Sequence, residues 1–357
     1  MKPGKEGYRV AVVGASSLLG KELVTVLEDE KFPISRLVTL DTEEGEPELP
    51  IIDLRAGFRA AVEDEEVSEA ELDFAFLAAR QRQMPAFLRS WQEHRAEARC
   101  TVIDLVGEGL GGGAAEPPAP PVESLVSVPF LDRRFPVKGL ESALPLLHVS
   151  PHPAVIVISG LLLRLAARYP LKTAVAQVFI SASESGSRGI EELQKQAVGL
   201  LSFQKTPHQV FGTQLAFNLL SRLGRAATGE MAALEARLRL QLQDYLGERV
   251  PRPALRLVQA PIFYSVGVSL YVETAEPVAP EAAAAALGGE RVRVRRPAQE
   301  PPTPVEATGS NDILVDSIAS DSAHPTGLWI WAVADNLHLA ASNAVEIAAS
   351  LRAGPRA

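Results

Sequence analysis

The stretch Ser150-Pro151-His152-Pro153 brings a hydroxyl and an imidazole together just before a long apolar run, which predicts a helix over 154–168. Such groups at a helix start could serve nucleophilic catalysis, but the sequence shows neither an acidic residue to orient His152 nor an oxyanion turn. His148 lies four residues before His152. Because prolines flank His152, one helical face cannot carry both imidazoles, so we predict no metal site.

A second candidate is the turn Gly14-Ala15-Ser16-Ser17-Leu18-Leu19-Gly20, which follows an apolar strand and opens an amphipathic helix. Backbone N–H groups and the helix dipole attract phosphate at such a place. Ser17 replaces the middle one of the usual three glycines, so its Cβ crowds a pyrophosphate although its hydroxyl could donate to one. The predicted nucleotide contacts are Gly14, Ser16, Ser17, Leu18 and Gly20. The alternative is a tight turn kept only for packing.

The acidic tract that begins at Asp41 follows the second predicted strand. An acidic side chain at this place suits the ribose of NAD, whereas an arginine suits the 2′-phosphate of NADP. We therefore expect NAD or NADP at the turn, with NAD favoured and Asp41 as its contact. A solvated acidic loop is the alternative.

Composition narrows the classes of partner. The 357 residues carry a formal net charge of −9, which argues against nucleic acid or an anionic membrane as partner. No apolar run reaches the ~18 residues that a membrane span needs. Cys100 is the single cysteine, so an internal disulfide is impossible and a reducing cytoplasm is the expected setting. Its place at the start of an apolar run predicts a packed core thiol.

Strands and helices alternate in the first part of the chain, which predicts a doubly wound parallel sheet of Rossmann type. After residue 150 the pattern changes to an α+β domain, in which 255–274 alternates as antiparallel strands do. The glycine- and proline-rich stretch 107–122 is predicted to be a loop, and the basic run 291–296 an exposed edge strand. The expected domains are 1–131 with 325–357, and 132–324 inserted between them.

Four landmarks occur in order along nearly the whole chain. The strand and turn VVGASSLLG, the run SASESGSRGIEEL, the tripeptide AFN and the closing DNLHLAASNAVEIA are similar to segments of aspartate-β-semialdehyde dehydrogenases. In that family they read G-A-T-G-x-V-G, S-G-A-G-x-x-G-I-E-E-L, AFN and D-N-L-x-x-G-A-A-x-N-A-V. The resemblance implies a Rossmann-type domain, a dimerisation domain, NADP as cofactor and a homodimer.

The resemblance also implies where catalytic groups belong. The family's nucleophilic cysteine falls on Pro153, its catalytic histidine on Val266 and the arginine that opens the histidine's segment on Gln259. The family's phosphate-binding arginine, which follows the fourth strand, has no counterpart in 104–110. Proline has neither a nucleophile nor an N–H, but it suits a first helical turn. The equivalents that persist are Asn336 on the cofactor side, with Arg188 and Glu192 on the substrate side. Arg188 could hold a small anion within 181–189; the alternative is a turn into the next helix.

Two functions remain open. One is a catalytically inactive or strongly altered homologue, akin to the family's cysteine-lacking paralogues, which acts by binding a nucleotide or small anionic ligand and by dimerising. The alternative is an active NAD(P)-dependent aspartate-semialdehyde dehydrogenase of amino-acid biosynthesis with a substituted mechanism.

Overall fold

The computed structural model describes residues 7–40, 72–79, 91, 99–107, 124–136, 147–296 and 298–353. The chain divides into two compact units, Met1–Pro151 with Ala340–Ala357, and His152–Leu339. These limits fall later than residues 131 and 325, where the sequence suggested them. The strand at Leu147–Val149 belongs to the first sheet, and the strand at Gly327–Ala334 belongs to the second. Most of the stretch 107–122 and Asp41 lie outside the described residues.

The first unit is built on a six-stranded sheet in the order β2-β1-β3-β4-β6-β5, in which every pairing is parallel. The strands are β1 (Tyr8–Val13), β2 (Ile34–Leu40), β3 (Phe74–Leu77), β4 (Thr101–Asp104), β5 (Leu125–Val126) and β6 (Leu147–Val149). The helices with both ends in the described part of this region are α1 (Leu18–Asp29) and α2 (Pro129–Asp132). This arrangement confirms the predicted Rossmann-type sheet.

Both faces of this sheet are covered, which explains the continuous apolar run in β1. Val10 and Val12 pack with Leu23 of α1 and with residues of the last helix, whereas Ala11 and Val13 pack on the opposite face. Cys100 lies in the second of these cores and is 1% exposed, so the predicted core thiol is confirmed.

The second unit holds a mixed sheet in the order β10-β11-β12-β9-β7-β8. Its strands are β7 (Leu171–Ile180), β8 (Ala254–Gln259), β9 (Val266–Thr274), β10 (Val292–Val294), β11 (Ile313–Ser320) and β12 (Gly327–Ala334). The expectation of antiparallel strands within 255–274 is confirmed for β9, which is antiparallel to both of its neighbours, but not for β8, whose pairing is parallel. β7 lies between β8 and β9, parallel to β8 and antiparallel to β9.

The helices from residue 153 onward are α3 (Pro153–Ala166), α4 (Gly186–Leu201), α5 (Met231–Leu246), α6 (Pro280–Leu287), α7 (Pro304–Ala307) and α8 (His338–Ala353). Helix α3 lies on the sheet and also contacts α5 and α6, and every residue from Pro153 to Leu165 is buried. Burial on all sides explains why its sequence is apolar all round. In the described part of the chain, no helix is long and apolar enough to cross a membrane.

The other face of this sheet carries aromatic side chains that are half-buried or exposed. Val175, Tyr271 and Trp329 form one row across β7, β9 and β12. Next to this row, Trp331 packs against Phe179 with ring centroids 5.8 Å apart. We call these five residues the aromatic face. Val175 and Trp329 are 41% and 44% exposed, so the described residues leave the face open.

The two edge strands of the sheet are charged. Arg293 of β10 pairs with Asp312, and Arg256 of β8 lies 3.6 Å from Glu235. Both arginine side chains are about 70% exposed. The position of β10 at the end of the sheet confirms that the basic run 291–296 is an edge strand.

Candidate functional site

The turn before α1 requires glycine at its two ends. Gly14 has φ +80°, and a Cβ added to it would meet Ala79 Cβ at 2.3 Å. A Cβ added to Gly20 would meet the Gly14 carbonyl oxygen at 2.1 Å. The strand, turn and helix are therefore packed as closely as in a dinucleotide-binding turn.

Ser17 uses its hydroxyl inside this turn. Its Oγ accepts from the Gly20 N–H at 2.9 Å and donates to the Gly14 carbonyl at 2.7 Å, with the Ala78 carbonyl at 3.1 Å as a further acceptor. Ser17 is thus the N-cap of α1, and Leu18 is the first helical residue. In this structure the carbonyls of the turn accept the proton of the Ser17 hydroxyl, which the sequence predicted as a donor to a phosphate. Ser16, another predicted contact, directly precedes this cap.

In the second unit, α3 begins at the residue that aligns with a cysteine nucleophile. Pro153 is the first helical residue and His152 is the N-cap. His152 Nδ1 accepts from the Ala154 N–H at 3.1 Å, and the His152 carbonyl accepts from the Val155 N–H at 2.7 Å. Pro153 is fully compatible with this helix start because proline has no N–H to satisfy.

His152 also contacts a carboxylate. Its Nε2 lies 3.1 Å from Glu184 Oε2, in the 3-10 turn Ala182–Ser185. Since Nδ1 accepts from the Ala154 N–H, the ring proton lies on Nε2, which donates to Glu184. The sequence-based expectation that no acidic residue orients His152 is therefore wrong. Both ring nitrogens are engaged, so His152 offers no free lone pair to a reacting proton.

Gln241 of α5 completes this group. Its Oε1 accepts from the His152 backbone N–H at 3.0 Å. This bond sets the orientation of the amide, because Nε2 could not face another donor. Within the part of the chain that the structure describes, Gln241 Nε2 has no hydrogen-bond partner, although the residue is only 5% exposed. We refer to His152, Glu184 and Gln241 as the α3 cap cluster.

The two positions that align with the family's histidine and arginine are both buried. Val266 opens β9 and is 1% exposed. Gln259 ends β8, is 2% exposed, and donates from Nε2 to the Ile180 carbonyl at 3.1 Å. Neither side chain can transfer a proton.

Asn336 lies in the second unit, where it joins two serines. Its Oδ1 accepts from the Ser265 backbone N–H at 2.8 Å, and its Nδ2 donates to Ser183 Oγ at 3.0 Å. Asn336 is 6% exposed. These bonds hold the segment before β9 against the 3-10 turn that carries Glu184.

Glu192 of α4 holds a loop through its carboxylate. Oε2 accepts from the N–H groups of Gln209 and Val210 at 2.7 and 2.8 Å, and Oε1 accepts from that of Phe211 at 3.0 Å. The residue is 4% exposed. The Glu192 carboxylate, which the resemblance predicted to bind substrate, is thus already hydrogen-bonded to three backbone N–H groups. Arg188, one turn earlier, is exposed.

Two family models match the chain. The NAD binding domain of semialdehyde dehydrogenases matches residues 9–108, and the semialdehyde dehydrogenase dimerisation domain matches residues 162–339. A USG-1 protein homolog of Pseudomonas aeruginosa is 30% identical over 94% of this chain and 95% of its own length. The chain belongs to the aspartate-semialdehyde dehydrogenase family.

Other members of the family agree over the whole chain. The aspartate-semialdehyde dehydrogenase of Aquifex aeolicus is 26% identical, over 96% of this chain and 97% of its own. The structure of a probable aspartate-semialdehyde dehydrogenase from Pseudomonas aeruginosa superposes with a TM-score of 0.77 at 26% identity, covering 98% of this chain and 99% of that one.

Sequence reasoning missed Glu184 and Gln241. A signal for Glu184 existed, since it stands at the first glycine of the family's S-G-A-G motif, as His152 stands at the asparagine before the cysteine. For Gln241 no comparable signal existed, because its only distinguishing feature is the side-chain contact with His152.

Replacing Glu192 with alanine tests its structural role. The buried N–H groups of Val210 and Phe211 would lose their acceptor at about 1–3 kcal/mol each. The N–H of the exposed residue Gln209 would lose less. We therefore expect Glu192→Ala to lower the free energy of unfolding by about 2 kcal/mol or more, measured by urea denaturation. The control is Glu191→Ala, because Glu191 is exposed and pairs with Lys195 on the surface; its effect should stay below about 1 kcal/mol. Equal effects of the two variants would contradict the role of Glu192.

Proposed function

We propose that this protein does not perform the thioester chemistry of aspartate-semialdehyde dehydrogenases and acts as a ligand- and nucleotide-binding homodimer. The observation that carries this proposal is Pro153 as the first residue of α3. The family's covalent step needs a thiolate at this position, and a proline ring has no lone pair with which to attack a carbonyl carbon.

Other groups do not replace the thiol or the base. Cys100 is the single cysteine of the chain, and it is packed in the core of the first unit. Val266 has no titratable group, and the ring nitrogens of His152 are both hydrogen-bonded. Loss of a covalent nucleophile costs on the order of 10⁶ in rate in subtilisin. A comparable loss is the expected consequence here.

The first unit supports a nicotinamide cofactor, since the matched model is an NAD binding domain. Gly14 and Gly20 supply the close turn that such a cofactor needs, and Leu18 begins the helix whose dipole faces it. We further propose NAD rather than NADP, on the basis of the acidic tract at Asp41. A reduced Cys100 is compatible with the cytoplasm, where we place the protein.

The second unit supports a homodimer through the aromatic face. The matched dimerisation domain, residues 162–339, contains all five of its residues. Exposed tryptophan and tyrosine are typical of interface anchors. The indole N–H of Trp329 donates to Asp321 Oδ2 at 2.8 Å. This bond, with the backbone N–H groups of Ala323 and His324, lowers the pKa of the Asp321 carboxyl and keeps it ionised beside the apolar row.

A dehydrogenase assay tests the loss of catalysis. We expect the purified protein, given aspartate semialdehyde, phosphate and either NADP or NAD, to reduce cofactor at least about 10⁴-fold more slowly than the Aquifex aeolicus relative measured in parallel. The absorbance of the reduced nicotinamide at 340 nm provides the readout. Turnover within about tenfold of that enzyme would support the alternative, an active dehydrogenase with a substituted mechanism.

Calorimetric titration tests the cofactor. With NAD and NADP titrated separately into the protein, we expect NAD to bind more tightly by about tenfold or more, because acidic side chains repel the 2′-phosphate. Absence of heat with both dinucleotides would remove the cofactor proposal, and tighter binding of NADP would reverse the preference.

Sedimentation velocity tests the dimer. Trp329→Glu places a carboxylate next to Asp321 on the aromatic face. We therefore expect this variant to sediment as a monomer at a micromolar concentration at which the wild type sediments as a dimer. Val305→Glu is the matched control, since Val305 is 86% exposed on α7 and outside the face. A Trp329→Glu variant that sediments as the wild type does would exclude this face as the interface.

A further inference from the structure

Residues of neighbouring strands lie side by side in rows on the side of the sheet that bears the aromatic face. The row through Tyr271 takes one residue from each of β8, β7, β9, β12 and β11, namely Ala254, Val175, Tyr271, Trp329 and Ala319. Tyr271 is the middle member, Val175 and Trp329 flank it, and an alanine stands at each end. We call this row the apolar strip; it is centred on β9.

The next row carries opposite charges at its two ends. Arg256 of β8 lies beside Gln177, and Asp316 of β11 lies beside Trp331. Since side chains alternate along a strand, both charged residues are on the side of the aromatic face. The Arg256 side chain is 70% exposed although it lies 3.6 Å from Glu235. Asp316 is half-buried, and its carboxylate has no hydrogen bond or ion pair within the described part of the chain.

Symmetry restricts how two copies can cover the apolar strip. Copies that meet through the same face are related by a two-fold axis in the plane between their sheets, and the strip covers the partner's strip fully only when this axis passes through Tyr271. Packed sheets have their strands either nearly aligned or at right angles. At right angles the strip would lie along the partner's β9, and the Glu273 carboxylate would be buried against Val175 or Trp329. Aligned packing avoids this, with the axis running either along β9 or along the strip.

An axis along β9 brings opposite charges together. Each strand then faces the strand on the other side of the partner's β9, so β8 faces the partner's β11 at the same row. Arg256 meets the partner's Asp316, and the symmetry makes this contact twice. Within the strip, Val175 meets the partner's Trp329, which keeps apolar surface on apolar surface.

An axis along the strip brings like charges together. Each strand then faces itself, and the rows on the two sides of the strip are exchanged. Asp316 meets the partner's Asp321, because Asp321 lies beside Gly327 in the row on the other side of the strip. Two carboxylate pairs of this kind oppose association, since like charges placed opposite each other suppress a docking arrangement.

One contact opposes the axis along β9. Glu273 follows on β9 and is half-buried, so it comes towards the partner's Glu273 once per dimer. The Tyr271 hydroxyl donates to Glu273 Oε1 at 3.1 Å, and the angle of about 30° between aligned sheets separates the two carboxylates. Two attractive contacts thus stand against one repulsive contact, whereas the other arrangement has two repulsive carboxylate contacts.

We propose that the aromatic face binds a second copy of this chain with the two-fold axis along β9, so that Arg256 of each copy pairs with the partner's Asp316. This inference rests on the proposed function, because it takes the aromatic face to be the homodimer interface. It assigns the choice of orientation to Arg256 and Asp316 and the apolar contact to the strip.

Charge reversal tests the orientation. The dissociation constant of the full-length dimer is measured by sedimentation velocity over a dilution series. Arg256→Glu and Asp316→Arg each create two like-charged contacts per dimer, so we expect each to weaken the dimer at least about tenfold. With the axis along the strip, Asp316→Arg would instead face Asp321 and tighten the dimer, and that result would overturn the proposal.

Two control variants make the same changes of net charge away from the face. Arg168→Glu lies just after α3 and Asp244→Arg lies on α5, at exposed positions on the helical side of the sheet. Both should leave the dissociation constant within about threefold of the wild type, as expected for exposed surface charges. If the variants of Arg256 and Asp316 behave like these controls, the proposal is wrong.

Mixing the two variants separates a lost contact from a damaged fold. In a dimer of one Arg256→Glu copy and one Asp316→Arg copy, the introduced glutamate faces the introduced arginine, and the native Arg256 faces the native Asp316. We therefore expect the mixture to dimerise within about threefold of the wild type, because both charge pairs are restored. A mixture that dissociates as readily as either variant alone would also refute the proposal.

The wild type distinguishes this inference from the proposed function. A wild type that sediments as a monomer would refute the homodimer and the orientation together. A wild-type dimer that Trp329→Glu dissociates, but that the charge reversals leave unchanged, would refute only the orientation.

Discussion

The hydrogen bond from the Ala154 N–H to His152 Nδ1 caps the start of α3, the helix on which the sheet of the second unit packs. The helix is buried along almost its whole length, so its start cannot rely on water to satisfy its first N–H groups. Proline at the first position removes one of these groups, and the imidazole satisfies the next. By engaging Nδ1, this bond places the ring proton on Nε2 and thereby directs it at Glu184.

Other polar side chains at the family's binding positions are also hydrogen-bonded to the backbone. The Ser17 hydroxyl caps α1 and closes the turn, and the Glu192 carboxylate accepts from the backbone of 209–211. The Gln259 amide donates to the Ile180 carbonyl. Each of these side chains is polar and lies at a family landmark, yet each serves the backbone. Among the cap-cluster residues, Gln241 differs because one of its polar atoms has no such use.

Much of the fold could be predicted because its signals are local. A few consecutive residues are enough to predict the apolar run of β1, the close turn at Gly14 and Gly20, and the helix that begins at Pro153. The pairing of the strands was harder to predict from the sequence, since β7 lies between β8 and β9 although β8 and β9 follow each other along the chain. The family motifs identified Pro153 as the altered position, but the contact between His152 and Glu184 joins residues 32 apart and becomes visible only in the folded chain.

The arginines of β10 and β8 bear on how copies of this chain can assemble. Strands at the edge of a sheet are templates for further strands, and charged side chains oppose such additions. Arg293 and Arg256 stand at opposite edges of one sheet, so growth of that sheet from chain to chain is disfavoured in both directions. In the homodimer proposed above, association through the aromatic face would use the same patch on each copy, and a self-complementary contact of this kind is saturated once two copies have met. The distribution of charge thus favours a closed particle over a filament.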